Sequence, residues 1–341
     1  MIASYCKYTL DFNFLAITSR NEMRQKDTYF IRLADGDRIA YGEANLFKGL
    51  SPDDYDDYED VLEDACREMN RKGSEILGHR YSSIRFGIET ALADFINSGK
   101  MEPFSTAPIN IPTNGLIWIS DFDSTIRAVE EKMKTFDVIK IKVGRLDIDE
   151  ELEILRFLRK SRPGVTIRLD ANGAFKSVGE AIDRLHRYAQ YSIHSLEQPI
   201  PAGRYDEMQD VIAHSPIDIA LDEELIAPRL KPSQLLSYLK PRYLVLKPAL
   251  INGFSGTKEW IHEAENRGIG WWITSALESN IGLNAIARFA SQYNIGTFCQ
   301  GLGTGRIYSN NIPSPLYLDG QVLRSRPGKG WSLPDLEWVT P

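Results

Sequence analysis

Cysteine is nearly missing from this chain: three stand at positions 6, 66 and 299 of 341, with no C-x-x-C pair among them. An odd count at that spacing excludes a disulfide framework and a cysteine-based zinc site, and it suits a reducing, cytoplasmic setting. No stretch approaches 18 consecutive apolar residues, so a membrane-spanning helix is excluded. The opening "MIASYCKYTLDF" lacks the basic and apolar regions of a signal peptide and alternates like a strand, so the chain is expected to be untargeted. Basic tracts are also lacking, and the net charge is −7, so neither nucleic acid nor an anionic membrane is an expected partner. A small-molecule substrate fits this composition better.

Two textures follow one another along the chain. Up to about residue 100, "YCKYTLDFNF" and "TYFIRLADGDRIAYGEA" read as strands, the second folding back at Asp35-Gly36, a hairpin signal. Next, "SPDDYDDYEDVLEDACREMNRKG" begins acidic, which suits the positive end of a helix, and "IRFGIETALADFINS" has helical periodicity. Asp53, Asp54, Asp56 and Asp57 are expected to form a solvated helix start rather than a metal site. From residue 112, short apolar runs alternate with amphipathic helical stretches: "GLIWIS", "VIKIKVG", "TIRLDANG", "HSLEQPI", "DIALDEEL", "YLVLKPAL", "WWITSAL" and "FCQGLGTG". Eight strands separated by helices argue for parallel β/α units.

Lys142, Asp170, Glu197, Asp222, Lys247, Ser275 and Gly303 stand near the ends of these runs and recur every 25 to 28 residues, about the length of one such unit. Eight units can close into a barrel, whose chemistry sits at the C-terminal strand ends, where these residues stand. An open doubly wound sheet would want a phosphate-binding glycine loop after its first strand, and "GLIWISDFD" has none.

Lys247 interrupts "YLVLKPAL", a strand apolar enough to be buried on both faces, and an unpaired buried ammonium is costly. In "VIKIKVG", Lys140 and Lys142 are two apart and share one side of a strand, the barrel interior, because helices cover the outer face. Between these lysines in chain order come Asp170 in "RLDANG", Glu197 in "LEQP" and Asp222 in "LDEEL". Neighbouring strands lie ~4.8 Å apart, so the three acids can converge, and uncompensated they would be driven towards protonation. A hard divalent cation resolves the repulsion. All-oxygen ligands without histidine or cysteine suit Mg²⁺, with Mn²⁺ as a substitute. A lysine base must be depressed from its ordinary ~10.4, and burial, the cation and the second ammonium of Lys140 push that way. Such a base beside a cation suits removal of a proton α to a carboxylate, leaving an enediolate to be stabilised.

With "KIK" on its second strand and "LKP" on its sixth, the chain resembles the enolase superfamily, in particular its muconate-lactonizing subgroup, over nearly its whole length. That resemblance implies an α/β fold: a modified TIM barrel, (β/α)7β, over 112–305 and an α+β capping domain made of 1–111 with 306–341 returning to it. The strand-like "LYLDGQVL" of the last segment is expected to join the N-terminal sheet. It also implies Lys142 as the acid/base, Lys140 as its modulating partner, Lys247 as the opposing lysine, and Asp170, Glu197 and Asp222 as Mg²⁺ ligands. Glu223, adjacent to the last of these, falls on the other face by alternation.

Branches of the superfamily differ at the later strands. A late histidine base marks the mandelate racemase branch, and "WWITSALESNIG" has none. Dipeptide epimerases carry an Asp-x-Asp pair at the eighth strand to hold an ammonium, whereas "GLGTG", 301–305, has no acid. A glycine-rich strand end offers backbone N–H groups and favours an anionic arm, with Ser275, Gly303 and Gly305 as candidates, although a tight turn also accounts for the glycines. Asn172 is a further substrate-binding candidate. "TSRNEMRQKDTYF" lies where the family has a mobile lid, so Arg20 and Arg24 are expected to close over a dianion. Together, "SALESNIGLNAIA" and "GLGTGRIYSNNIPSPL" are similar to the branch that removes water from a succinyl-bearing cyclohexadiene carboxylate and aromatises its ring. A racemase of N-acylated amino acids and a dipeptide epimerase are the rival activities. A barrel that only binds a carboxylate is disfavoured by the lysines and acids.

Overall fold

Alternation in the N-terminal stretches yields a three-stranded antiparallel sheet of β1 (Ile2–Ile17), β2 (Glu22–Asp35) and β3 (Arg38–Ala44). The computed structural model describes residues 1–17, 22–73, 80–97, 99–118, 120–295, 298–326 and 329–341. Asp35 pairs with Arg38 across a two-residue loop whose first residue, Gly36, takes φ +56, the positive value a primed hairpin turn requires. Two helices, α1 (Tyr58–Lys72) and α2 (Ser82–Asn97), cover this sheet, burying Ile31, Leu33, Leu62, Met69, Ile84 and Ile88 together. The helix backbone rests directly on the strand: a Cβ at Gly42 would lie 2.0 Å from Gly87 O, and one at Gly87 2.8 Å from Ala44 N. Asp53 departs from the expected solvated helix start. It is 2% exposed, and its Oδ2 accepts from Ser83 N at 2.9 Å and Ser83 Oγ at 2.7 Å, tying the turn before α1 to the start of α2.

Seven short runs form one parallel sheet: after β4 (Asn110–Pro112), these are β5 (Gly115–Ile117), β6 (Val138–Lys142), β7 (Thr166–Asp170), β8 (Ile193–Glu197), β9 (Ile219–Leu221), β10 (Tyr243–Leu246) and β11 (Gly270–Ile273). A helix follows each: α3 (Phe122–Lys132), α4 (Ile148–Ser161), α5 (Val178–Ala189), α6 (Tyr205–His214), α7 (Pro232–Leu239), α8 (Gly253–Glu265) and α9 (Asn280–Ala290). Local chemistry sets several helix starts. The Asp121, Ser177 and Ser279 side chains accept from backbone N–H groups of the first turn, Asp147 and Glu150 form a capping box, and Pro232 opens α7.

The eighth run keeps only Gln300 and Gly301 in the sheet, and those two residues close the ring. Gln300 N donates to Pro112 O at 2.8 Å on one side, and Gly301 N donates to Ile273 O at 2.8 Å on the other. The strand stops there because Leu302 N turns to a side-chain acceptor, Thr113 Oγ1, at 3.0 Å. The result is the (β/α)7β barrel, with the strand-rich N-terminal layer as its cap.

"LYLDGQVL" does not join the N-terminal sheet. It forms the hairpin β12 (Leu316–Asp319) and β13 (Val322–Ser325), and β13 pairs antiparallel with β4. The segment returns to β1 elsewhere, through bridges of Tyr308 with Phe12 and Val339 with Tyr5. Trp331, Leu333, Leu336 and Trp338 pack there around Cys6, Phe30 and Ile312. Among the described residues no helix is long and apolar enough to cross a membrane.

Candidate active site

Strand register assembles the site. In β6, Ile139 and Ile141 are buried in the outer layer, which turns Lys140 and Lys142 into the barrel. Lys142 is paired across the sheet with Asp170, and Asp170 with Glu197, so three strand ends present their polar groups at one level. Lys140 Nζ lies 2.9 Å from Asp170 Oδ2 and 2.7 Å from Glu197 Oε2. Lys142 Nζ lies 2.9 Å from the same Asp170 oxygen and also donates to Asn172 Oδ1. Lys247, just past β10, is paired with Asp222, just past β9.

Burial of 1 to 2% exposure for Asp170, Glu197 and Asp222 makes these charges strongly coupled. Burial opposes ionisation of Asp170, but Lys140, Lys142 and Lys247 outweigh it and hold its carboxyl below the usual range. Burial and then the Asp170 charge push Glu197 well above the glutamate range; Asp222 adds to this, while Lys140 and Lys247 pull against it. For Lys140, burial disfavours the charge, yet Asp170, Glu197 and Asp222 prevail and raise it above the ordinary lysine value. Lys247 is likewise raised, by Asp222, Glu223 and Glu197 against burial. At Lys140 and Lys247 the protein's own acids therefore outweigh the cost of burying the ammonium.

The donor set fits a hard divalent cation. Three buried carboxylates supply only oxygen, and the repulsion that adds to burial in raising Glu197 is what such an ion relieves. Among the described residues no three acidic, histidine or cysteine side chains already form a ready-made cation cage, since the lysine ammoniums lie against the carboxylates instead.

A cavity of about 610 Å³ opens over these strand ends, with Lys140, Lys142, Asp170, Asn172 and Lys247 in its wall and Phe47 and Leu50 of the cap above. Asn172, at φ +44, brackets the site: its Nδ2 donates to Glu223 Oε1 at 3.0 Å while its Oδ1 meets Lys142. Of the substrate-arm candidates, Ser275 and Gly303 line the cavity. Gly305 does not; a Cβ there would meet Asn280 Oδ1 at 3.1 Å and Leu283 Cδ2 at 3.2 Å, so it faces α9. Arg24 is exposed on β2 and outside the cavity wall, and Arg20 lies outside the described residues.

Glu223, expected on the other face by alternation, instead lines the cavity, because the chain leaves the strand after Leu221 and turns into a 3-10 helix. Three further residues have no counterpart among the sequence candidates. Gln198, buried at φ +44, accepts from Asp222 N at 3.2 Å and Glu224 N at 3.3 Å and so shapes the turn carrying Asp222. Arg306 lines the rim one residue beyond "GLGTG". Glu278, fully buried, accepts from Ser275 Oγ at 2.5 Å, Ala276 N at 2.8 Å and the cap's Asn45 Nδ2 at 3.0 Å, and so fixes the cavity wall.

Burial pushes the Glu278 carboxyl up to about 7, against the Ser275 hydrogen bond and with Glu43 adding to it. A folded value above the unfolded one favours the protonated folded form. Its stabilisation is complete below about pH 4.5 and is lost as pH rises through about 7, amounting to ~3 kcal/mol at most. Urea denaturation across this window should show the loss in the wild type and a flatter profile in Glu278→Gln. An unchanged slope in the variant would assign the titration to another group.

Barrel, cap and lysine-flanked acids define a member of the enolase superfamily: the enolase C-terminal domain-like family pattern matches residues 124–335, and the chain belongs to that family. Within it, the sequence relatives include o-succinylbenzoate synthases. The o-succinylbenzoate synthase of Desulfotalea psychrophila is 38% identical over 95% of this chain and 98% of its own length. The crystal structure of MenC from that organism matches with a TM-score of 0.79 at 36% identity, covering 95% of this chain and 99% of that one. The L-Ala-D/L-Glu epimerase from Bacillus subtilis shares the fold, with a TM-score of 0.83 at 20% identity over 98% of this chain and 99% of that one.

Proposed function

We propose that the protein is an o-succinylbenzoate synthase, dehydrating 2-succinyl-6-hydroxy-2,4-cyclohexadiene-1-carboxylate to 2-succinylbenzoate in the menaquinone pathway of the cytoplasm. The observation that carries this reading is the meeting of Lys142, Lys247 and Asp170 in the wall of one cavity at the strand ends. The likeness to the Desulfotalea enzyme supports the choice of substrate. In this reading residues 1–111 and 306–341 form the capping domain and 112–305 the barrel.

Lys142 takes the ring proton α to the carboxylate, its Nζ positioned by Asp170 and Asn172. Lys247, four strands further round and anchored on Asp222, presents its ammonium to the developing enediolate. Lys142 then returns the proton to the departing hydroxyl, which leaves as water while the ring becomes aromatic. Lys140 bridges Asp170 and Glu197 and keeps a positive charge beside the base. When bound by Asp170, Glu197 and Asp222, Mg²⁺, or Mn²⁺ in its place, supplies the further positive charge that lowers the cost of the enediolate.

A second reading draws on the same two lysines. Lying in one cavity wall, they could serve opposite faces of an α-carbon, as racemisation of N-succinyl amino acids requires. Dipeptide epimerisation fits less well, because among the described residues Gly301, Gly303 and Arg306 line the eighth-strand side, with no acid there to receive an ammonium. Purified enzyme should dehydrate the cyclohexadiene acid efficiently, followed by its ultraviolet absorbance change, and handle dipeptides poorly. Dipeptide epimerisation at the higher kcat/KM overturns the assignment.

A further inference from the structure

Among the described residues, five cationic side chains line the cavity, and four of them are already matched. Lys140, Lys142 and Lys247 lie against the buried acids, and Lys132 is 3.3 Å from Glu131. Arg306 is the fifth. It is exposed at the rim, and among the described residues its guanidinium has no hydrogen-bond or ion-pair partner. Its main chain, by contrast, is pinned by the cap: Asn13 Nδ2 donates to Arg306 O at 2.9 Å, and Asn13 N donates to Ile307 O at 2.8 Å. A held backbone keeps this unengaged guanidinium at the rim, free to pair with a carboxylate.

On the functional reading above, the substrate carries two carboxylates. The ring carboxylate belongs beside the lysines and acids, and the succinyl arm must find its own counter-charge. Ser275 is poorly placed to provide it, because its hydroxyl already donates to Glu278 and accepts from Leu277 N at 2.9 Å. Gly305 faces α9. Phe14 and Trp118, with ring centroids 5.3 Å apart, add apolar wall suited to the methylenes of the arm.

We infer that Arg306 is a specificity-determining residue, holding the terminal carboxylate of the substrate's arm at the cavity rim and so selecting an anionic arm over a neutral or cationic one. This deepens the o-succinylbenzoate synthase reading and rests on it.

The test compares binding of 2-succinylbenzoate with that of 2-butyrylbenzoate, which lacks the terminal carboxylate, by calorimetry on Mg²⁺-supplemented protein. Wild type should prefer the succinyl acid by ~10–100-fold, the range of a charge-assisted hydrogen bond. In Arg306→Gln the ratio should fall towards one, and Arg306→Lys should restore part of it. KM for the cyclohexadiene substrate should rise by a similar factor in Arg306→Gln, with kcat moving far less. If Arg306→Gln keeps the wild-type ratio, or if wild type binds both acids equally while still dehydrating the substrate, the inference is overturned and the functional reading survives. A wild-type protein that binds neither acid and dehydrates nothing overturns both.

Discussion

Lys142→Ala is expected to lower dehydration by ~10²–10⁴-fold and to abolish exchange of the acidic ring hydrogen with solvent deuterium. Both effects follow from one cause, since the substitution removes the only base proposed for the α-proton. The two cavity lysines differ in their surroundings. Lys247 is held charged against the cost of burial by Asp222, with Glu223 and Glu197 behind it, and suits electrostatic stabilisation. Lys142 shares Asp170 with Lys140 and is steered by Asn172, which points its Nζ without giving it a carboxylate of its own. Lys247→Ala should therefore slow turnover while leaving some deuterium exchange measurable by NMR. Near-normal turnover in Lys142→Ala beside a dead Lys247→Ala would show the two roles to be reversed.

Exhaustive chelation should take activity to background, with Mg²⁺ or Mn²⁺ restoring it. Asp170, Glu197 and Asp222 are almost wholly buried, and burial together with repulsion from Asp170 and Asp222 raises Glu197, so a divalent ion gains attraction and relieves that repulsion on binding. The same linkage predicts a readout independent of turnover. At a hundred times its Kd, the ion should stabilise the folded protein by about 2.7 kcal/mol, visible as a rise in Tm. Glu197→Gln should shrink that rise. Full turnover by rigorously metal-free protein would refute the metal requirement.

What the sequence determined by itself is local and periodic. Helix and strand alternate with the length of one β/α unit, so the barrel and the level of Lys142, Asp170, Glu197, Asp222 and Lys247 could be counted off the chain. The side on which Lys140 and Lys142 point follows from a period of two, which needs no knowledge of the partner strand. Tertiary structure decided whatever depends on which surface an element meets. "LYLDGQVL" has the alternation of a strand beside any neighbour, and only the fold pairs it with β4 instead of the N-terminal sheet. Glycine carries no side chain to alternate, so Gly303 in the cavity wall and Gly305 against α9 look alike in sequence. Asp53 reads as one acid of a solvated run until Ser83, thirty residues on, buries it with two hydrogen bonds. Glu278 reaches the cap's Asn45 across 233 residues, and Arg306 owes its fixed backbone to Asn13 across 293. Contacts that distant leave no periodic trace, because burial and charge pairing depend on three-dimensional neighbours while the sequence records only neighbours along the chain.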